Sequence, residues 1–531
     1  MSDRGRMVDG DLAESNSEQD EWRFCAPTSA QIRARIGTEV EEVFSLVEQR
    51  SRNRRFDPVE KSIVSHVFAL GRLFLAYFLA WREEHCEGEV RAMKGHGLCV
   101  RPRQPKLLGT YFGKVRFWRT YMRRPGGSGV HPLDTSLGLT ADGFSMHVVS
   151  LAARLSTWVS YDQVAALLMN FLAWSPSKMS IEKAVLGLGR HTAEWFEKAP
   201  PPDGDGDVLV IQIDSKATPT ATDSELEKRR RKRGPRRKRC SPRHRGREKR
   251  RRLGSKPRRK KGDKSKNGRA ATLVVMYTLK SVKRDGKVRL EGPINRKFYG
   301  SYAQKRHAFA IAQREAHKRG FGPKSGKRIQ IVTDGDESFA QYASEFFPEA
   351  IHTLDVMHVM EKLWRAGECL FKEGTPELRA WVKTLEALIY RGKARSVVER
   401  LEKAVARIPK TGPGNKGRRE RLREVRDYLF KRIHQMNYGW LRSQDLELAS
   451  GSVEGAVKHV IAKRFDNGSM RWIRERAEAL LQLRCIDLNG DWDAFVAFVH
   501  DKTLSVLRST MSRTRLLTWS PAALPKLGLS A

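Results

Sequence analysis

QIVTDGDESFAQYASEFFPEAIHTLDVMHVMEKLW, residues 330–364, decides how this chain is read. The preceding Arg328 and Ile329 complete RIQIVT, a short run rich in branched residues that suits a buried strand. Asp334 stands where that strand ends. A carboxylate at the end of a buried strand is held rigidly yet still reaches solvent, which suits a metal ligand. A lone TDG is also compatible with a simple turn Asp. The stretch continues as a helix over 337–347 and a strand over 350–354, then Asp355-x-x-His358 enters another helix.

Two distant stretches bear on Asp334. VLVIQIDSKA, residues 208–217, is again an apolar strand with a carboxylate, Asp214, near its end. SGSVEGAVKHVIAK, residues 450–463, reads as a helix with Ser450 and Ser452 as N-cap candidates and Glu454 in its first turn. Asp214, Asp334 and Glu454 form an ordered Asp, Asp, Glu set on two strands and a helix. Such a set suits two divalent cations and phosphodiester chemistry.

The blocks around Asp334 and His358 resemble the second-Asp region of RNase H-like DDE transposases of the Mutator and hAT type. SGSVEGAVKHVIAKRFDNGSMRW, residues 450–472, resembles their Glu helix. With QIDSKA, the set looks most like the ISKra family of bacterial insertion-sequence transposases, over roughly residues 105–495 in order. The resemblance implies an α/β fold: an RNase H-like mixed-sheet catalytic core with an all-helical insertion. It implies metal ligation by Asp214, Asp334 and Glu454, with Mg²⁺ or Mn²⁺ as cofactor. It implies cleavage and strand transfer at DNA ends, acting on the element's terminal inverted repeats and on target DNA. The Asp-x-x-His element falls on Asp355 and His358, where many relatives carry Cys before the His. His358 is expected to be catalytic, donating a hydrogen bond to the scissile phosphate. Lys216, on the same strand face as Asp214, is a further candidate phosphate contact, and Asp336 is expected to cap the helix after it.

Charge points the same way. The 531 residues carry a formal net charge of +40, which calls for a polyanionic partner, and nucleic acid is the commonest. Within residues 228–269 stand 25 Lys or Arg against Glu248 and Asp263, a net +23. So few apolar residues cannot pack a core, and a disordered basic loop between the first two strands of the sheet is expected. The six cysteines are scattered without a C-x-x-C pair, so no disulfide framework is expected, and His85-Cys86 with His96-x-x-Cys99 matches no standard zinc spacing. The polar, acidic start is no signal peptide. The most apolar run, residues 63–81, includes Ser65, His66, Gly71 and Arg72 and reads as a buried core helix rather than a membrane span. A cytoplasmic, nucleoid-associated bacterial protein, homo-oligomeric on DNA and without a membrane partner, is therefore expected.

The expected organisation runs from a disordered tail at 1–27 to a mainly helical DNA-binding region at 28–200. That region has helices at 29–50 and 58–84, a basic hairpin at 106–123, and helix-turn-helix spacing in helices at 161–172 and 180–198. The core follows at 206–366, with further strands at 271–278 and 288–301 and a helix at 302–319, then the helical insertion at 367–445. Core helices at 453–464 and 471–487 lie within 446–490, and a C-terminal tail is expected at 491–531. A host nuclease on the same fold, a non-catalytic DNA-binding descendant of a transposase, and an RNA-binding protein are the rival readings. The DNA flanking the gene, with or without inverted repeats, separates the first of these.

The basic segment should bind backbone phosphate without reading sequence. Deleting residues 228–269 should flatten the slope of log K against log salt in a DNA titration, while preference among duplexes stays nearly unchanged. An unchanged slope with lost preference would make the segment a sequence reader.

Overall fold

The computed structural model describes residues 26–50, 55–95, 97–123, 129–140, 142–221, 227, 268–466 and 471–510. The chain is mixed α/β and falls into two compact units, residues 1–191 with 492–523, and residues 192–491 with 524–531. Almost all of the basic segment lies outside the described residues.

In the first unit, α1 (Ser29–Arg50) and α2 (Asp57–Glu84) pair as a helical hairpin, and α3 (Glu87–Gly95) follows. Strands β1 (Cys99–Thr110), β2 (Gly113–Arg123) and β3 (Gly129–Val130) form an antiparallel sheet. The β1–β2 turn lies at Tyr111-Phe112. Its inner face packs on α2 through Leu79, Leu108, Val115, Phe117 and Leu133. The expected buried core helix is instead largely half-exposed: 11 % of its most apolar 18 residues are buried. The reason is architectural: α2 has the hairpin on one side and α1 on another, Phe68 reaches the cluster of Ala152, Val164 and Leu168, and Val64, Val67, Phe74, Phe78 and Trp81 stay half-exposed.

Short helix α4 (Pro132–Leu137) leads to α5 (Met146–Trp158), α6 (Tyr161–Leu172) and α7 (Lys178–Gly189). Ser160 caps α6 in a reciprocal box with Gln163, and Ser177 caps α7. The single helix expected over 180–198 is instead two, because α7 stops at Gly189 and α8 (Thr192–Lys198) restarts in the second unit. Gly187 and Gly189 at the break supply the physical cause. The final helix, α18 (Trp492–Thr510), opens the C-terminal segment and joins the first unit, where Trp492 Nε1 donates to Ser150 Oγ at 2.9 Å.

The second unit is built on a mixed sheet. Its strands are β4 (Val208–Ala221), β5 (Gly268–Arg284), β6 (Lys287–Ser301), β7 (Arg328–Thr333) and β8 (Ile351–Leu354), in the order β6-β5-β4-β7-β8. The first three pair antiparallel, and β4, β7 and β8 pair parallel. Residues Val208 to Ile213 and Ala271 to Leu279 are buried throughout, as in strands covered on both faces. One face carries α9 (Lys305–Lys318) and α10 (Glu337–Phe346), joined through Phe309 against Phe339. The other carries α16 (Gly451–Ala456), a π-helix (Val457–Asp466) and α17 (Arg474–Leu488). Between them in sequence come α11 (Val356–Gly367), α12 (Pro376–Tyr390), α13 (Ala394–Arg407), α14 (Asn415–Lys431), a 3₁₀ turn (Ile433–Gln435) and α15 (Tyr438–Ser443). A two-residue strand, β9 (Trp472–Ile473), pairs with the far end of β4.

Two wholly buried glutamines bind the covering segment to the sheet. Gln212 on β4 accepts from Val453 N–H at 3.0 Å and donates to Ala449 O at 3.3 Å. Gln330 on β7 accepts from Glu447 N–H at 3.0 Å and donates to Glu447 O at 2.7 Å and Thr353 Oγ1 at 2.9 Å. Gln212→Leu keeps the shape but removes the bonds to Val453 N–H, Ala449 O and Tyr277 OH, leaving Val453 N–H only its bond to Ser450 O, so a loss of about 2–4 kcal/mol is expected. The urea midpoint measures it, and a midpoint equal to that of the unaltered chain would mean that this tether holds nothing.

Candidate functional site

Register brings the expected Asp residues together. Ile213 on β4 pairs with Thr333 on β7, and Thr333 with Leu354 on β8. Asp214, Asp334 and Asp355 each follow one of these residues, so three carboxylates line one edge of adjacent parallel strands. Gln212 and Asp214 lie two residues apart on the same strand face, and Gln212 holds Val453 N–H. Glu454 is the next residue along, in the first turn of α16. The tether thus delivers Glu454 to the face that bears Asp214.

The electrostatics agree with that placement. Burial pushes the Asp214 carboxyl above the usual range, and the charges of Asp334 and Glu454 push it the same way. A hydrogen bond from Ser215 N–H at 2.6 Å and the nearby His358 act against them. Donor atoms of Asp355, His358 and Glu454 lie within 4.8 Å of one another. Asp214, Asp334 and Glu454 do not themselves close to that span among the described residues.

Asp355 has a different job from the other carboxylates. It is fully buried, and its oxygens accept from Met357 N–H at 2.8 Å, from His358 Nδ1 at 2.8 Å and from Ser450 Oγ. Burial alone would raise its pKa, but these bonds hold it below the usual carboxylate range. The bond to Asp355 in turn lifts His358 to about 8 against the cost of desolvation. Asp355 therefore orients the His358 ring through Nδ1 and favours its protonated form. Ser450 stands at the N-cap position of α16, yet its hydroxyl makes no capping bond and serves Asp355 instead.

Helix α14 closes the turn after β7. Tyr428 OH donates to Asp334 O at 3.0 Å, and Arg432 Nη2 donates to Gly335 O at 2.5 Å while its guanidinium covers the Tyr428 ring at 4.2 Å. Gly335 has φ +82°, and a Cβ there would lie 2.2 Å from Tyr428 OH, so only glycine fits. Tyr438 OH donates to Leu354 O at 2.7 Å, fixing the end of β8. Asp336 caps α10, accepting from Ser338 N–H at 2.9 Å and from Lys305 Nζ at 2.5 Å, as its position beyond the strand suggests. Lys216 pairs with Asp466 at 3.3 Å.

Sequence reasoning missed three supports: the glutamines, the π-helix and the aromatic clamp. Arg484 of α17 is buried and donates to Val460 O at 2.9 Å and His459 O at 2.8 Å, serving carbonyls of the π-helix. A π-helix beside a functional helix is a known marker of such sites, but no local signal announces one. A second group of ligand-type residues, Glu39, Glu42 and His66, lies in the first unit, where Arg35 already pairs with both carboxylates. Comparison with known protein families finds no match for this chain, and comparison with curated proteins finds none either.

The dyad yields a direct test. Asp355→Asn keeps an acceptor for Nδ1 but removes the charge, so His358 should titrate near the ordinary value of about 6.5 rather than about 8. At pH 7.5 the ring would then change from mostly protonated to mostly neutral, as read by NMR of the imidazole carbons. A pKa unmoved by the substitution would remove Asp355 from this role.

Proposed function

We propose that this protein is a DNA transposase of the DDE type, with an RNase H-like core, and that it cleaves and joins phosphodiesters at the ends of its own element. The observation that carries the reading is the convergence of Asp214, Asp334 and Glu454, residues about 120 apart in sequence, on one edge of one sheet. The strand order β6-β5-β4-β7-β8, third-second-first-fourth-fifth within the unit, supports an RNase H-like core. So do the parallel pairing of β4 with β7 and the helical segment between Asp334 and Glu454. The first unit then serves DNA binding, and the net charge of +40 supports a polyanionic partner for the whole.

The residues fit a divalent cation. Asp214, Asp334 and Glu454 offer hard oxygen donors, and the mutual repulsion that raises Asp214 is what a bound cation would relieve. Mg²⁺ or Mn²⁺ held there supplies acidity for an attacking water or 3′-hydroxyl and positive charge for the leaving oxygen. His358 donates from Nε2 to a non-bridging phosphate oxygen, with Asp355 holding Nδ1. The Tyr428 and Arg432 clamp keeps Asp334 from following its turn away from the sheet.

The test is cleavage of a labelled duplex bearing the element's end, with binding measured in parallel. Asp214→Asn, Asp334→Asn and Glu454→Gln should each reduce cleavage by roughly a thousandfold or more, and double variants should add little, because the residues act as a unit. Binding should persist or tighten, since each change removes negative charge near phosphate. His358→Ala should cost less, roughly a hundredfold. Full cleavage by Glu454→Gln would remove that residue from the site. Binding without cleavage by the unaltered protein, on the correct end with metal present, would favour a non-catalytic descendant.

A further inference from the structure

Helix α2 carries a long apolar stripe that stays half-exposed among the described residues and that Phe112 of the β1–β2 turn overlaps at Gly71. Val64, Val67, Phe74, Phe78 and Trp81 are each 43–55 % exposed. With Gly71 they recur at alternating steps of three and four, the spacing of a helix seam that packs on another helix. The steps continue outward to Glu60 and His85, both exposed. The most apolar 18 residues of this helix have a mean hydropathy of 1.8, so leaving the stripe in water is costly.

The stripe is also self-complementary. Its positions 60, 64, 67, 71, 74, 78, 81 and 85 have the same spacing read from either end. Small residues lie towards one end and large ones towards the other. An antiparallel pair would set Val64 against Trp81, Val67 against Phe78, and Gly71 against Phe74. Gly71 is where Phe112 of the β1–β2 turn laps the helix, at 2.4 Å from a built Cβ. Phe74 of a second copy would therefore meet Phe112 across that gap. The ends match as well, Glu60 facing His85. A parallel pair would instead crowd Trp81 on Trp81 and Phe78 on Phe78 at one end and leave like charges together.

We propose that α2 is the interface of an isologous dimer in which two copies of this chain pack their α2 stripes antiparallel. Each residue of the patch then meets its counterpart twice, as two-fold symmetry requires. The hydrophobic core of the contact is the stripe, and Glu60, Lys61, Glu84 and His85 form its polar rim.

Sedimentation of the full chain without DNA tests the association. A dimer is expected, and Phe74→Glu should weaken it about a hundredfold or more by placing a charge in the buried core. Position 74 is exposed in the single chain, so circular dichroism and melting should be unchanged. Orientation is read by oxidation: Val64→Cys with Trp81→Cys should give an intermolecular disulfide, whereas neither single variant should cross-link to itself at the new position. Self-linking by the single variants would overturn the antiparallel geometry. A monomer at all concentrations would overturn the proposal, as would co-sedimentation of the monomer with phosphatidylcholine vesicles, which would give the stripe to a membrane.

Discussion

Two side-chain amides, Gln212 and Gln330, organise the second unit. Each lies at the centre of an otherwise apolar strand and is wholly buried. A buried amide must find partners, and these find them in the main chain of residues 447–453. The segment is thereby fastened to the sheet without becoming a strand of it. Val356 N–H adds a bond to Leu448 O at 3.0 Å, and Ser450 adds one to Asp355. The connection from Asp214 to Glu454 is consequently short: two residues along β4, one side chain, and one residue along the covering chain. An apolar residue at either glutamine would pack as well, but would leave the segment free to slide.

The helical segment plays a comparable part at the other carboxylate. The carbonyls of Asp334, Gly335 and Leu354 end their strands without a further ladder to accept their bonds. Tyr428, Arg432 and Tyr438, from α14, the residue just beyond it and α15, donate to these three oxygens. The left-handed Gly335 makes room for the Tyr428 hydroxyl. The turn that aims Asp334 is thus closed by helices some hundred residues later in the chain. Positioning is distributed among three elements, and each is anchored through main-chain atoms that substitution cannot remove.

This explains what the sequence made legible. Strand β7 and the end of β8 were readable from branched residues followed by Asp, because burial and strand exit are local properties, but β4 does not end near Asp214 as expected and runs on to Ala221 paired with β5. The cap at Asp336 and the first-turn position of Glu454 were readable for the same reason. The buried glutamines were not, since a polar residue inside VLVIQI or RIQIVT looks like an interruption until its partner is known. Nor was the π-helix, whose carbonyls are served by Arg484 from a different helix. Residues 63–81 misled in the opposite direction, because apolar character was taken as burial within the same chain. The break after Gly189 was announced by its glycines and outweighed by the periodicity around them.

The site also holds charge that folding by itself would discard. Asp214, Asp334 and Glu454 sit close enough to raise the first of them, in a protein whose overall balance is strongly positive. Cations are plentiful in the chain, and His358 works against the charges of Asp334 and Glu454 at Asp214, yet burial and those two charges still hold its carboxyl above the usual range. Elsewhere in the second unit Asp205 pairs with Arg319 at 2.6 Å, and Asp355 is served by His358 and Ser450. The contrast lies within one fold and one charge balance, so it cannot be put down to composition. An arginine at the strand edge would relieve the repulsion and stabilise the sheet, but it would occupy the oxygens. Leaving them uncompensated keeps them available to a cation that arrives from solvent, and the rigid tether and clamp are what make that arrangement tolerable in the meantime.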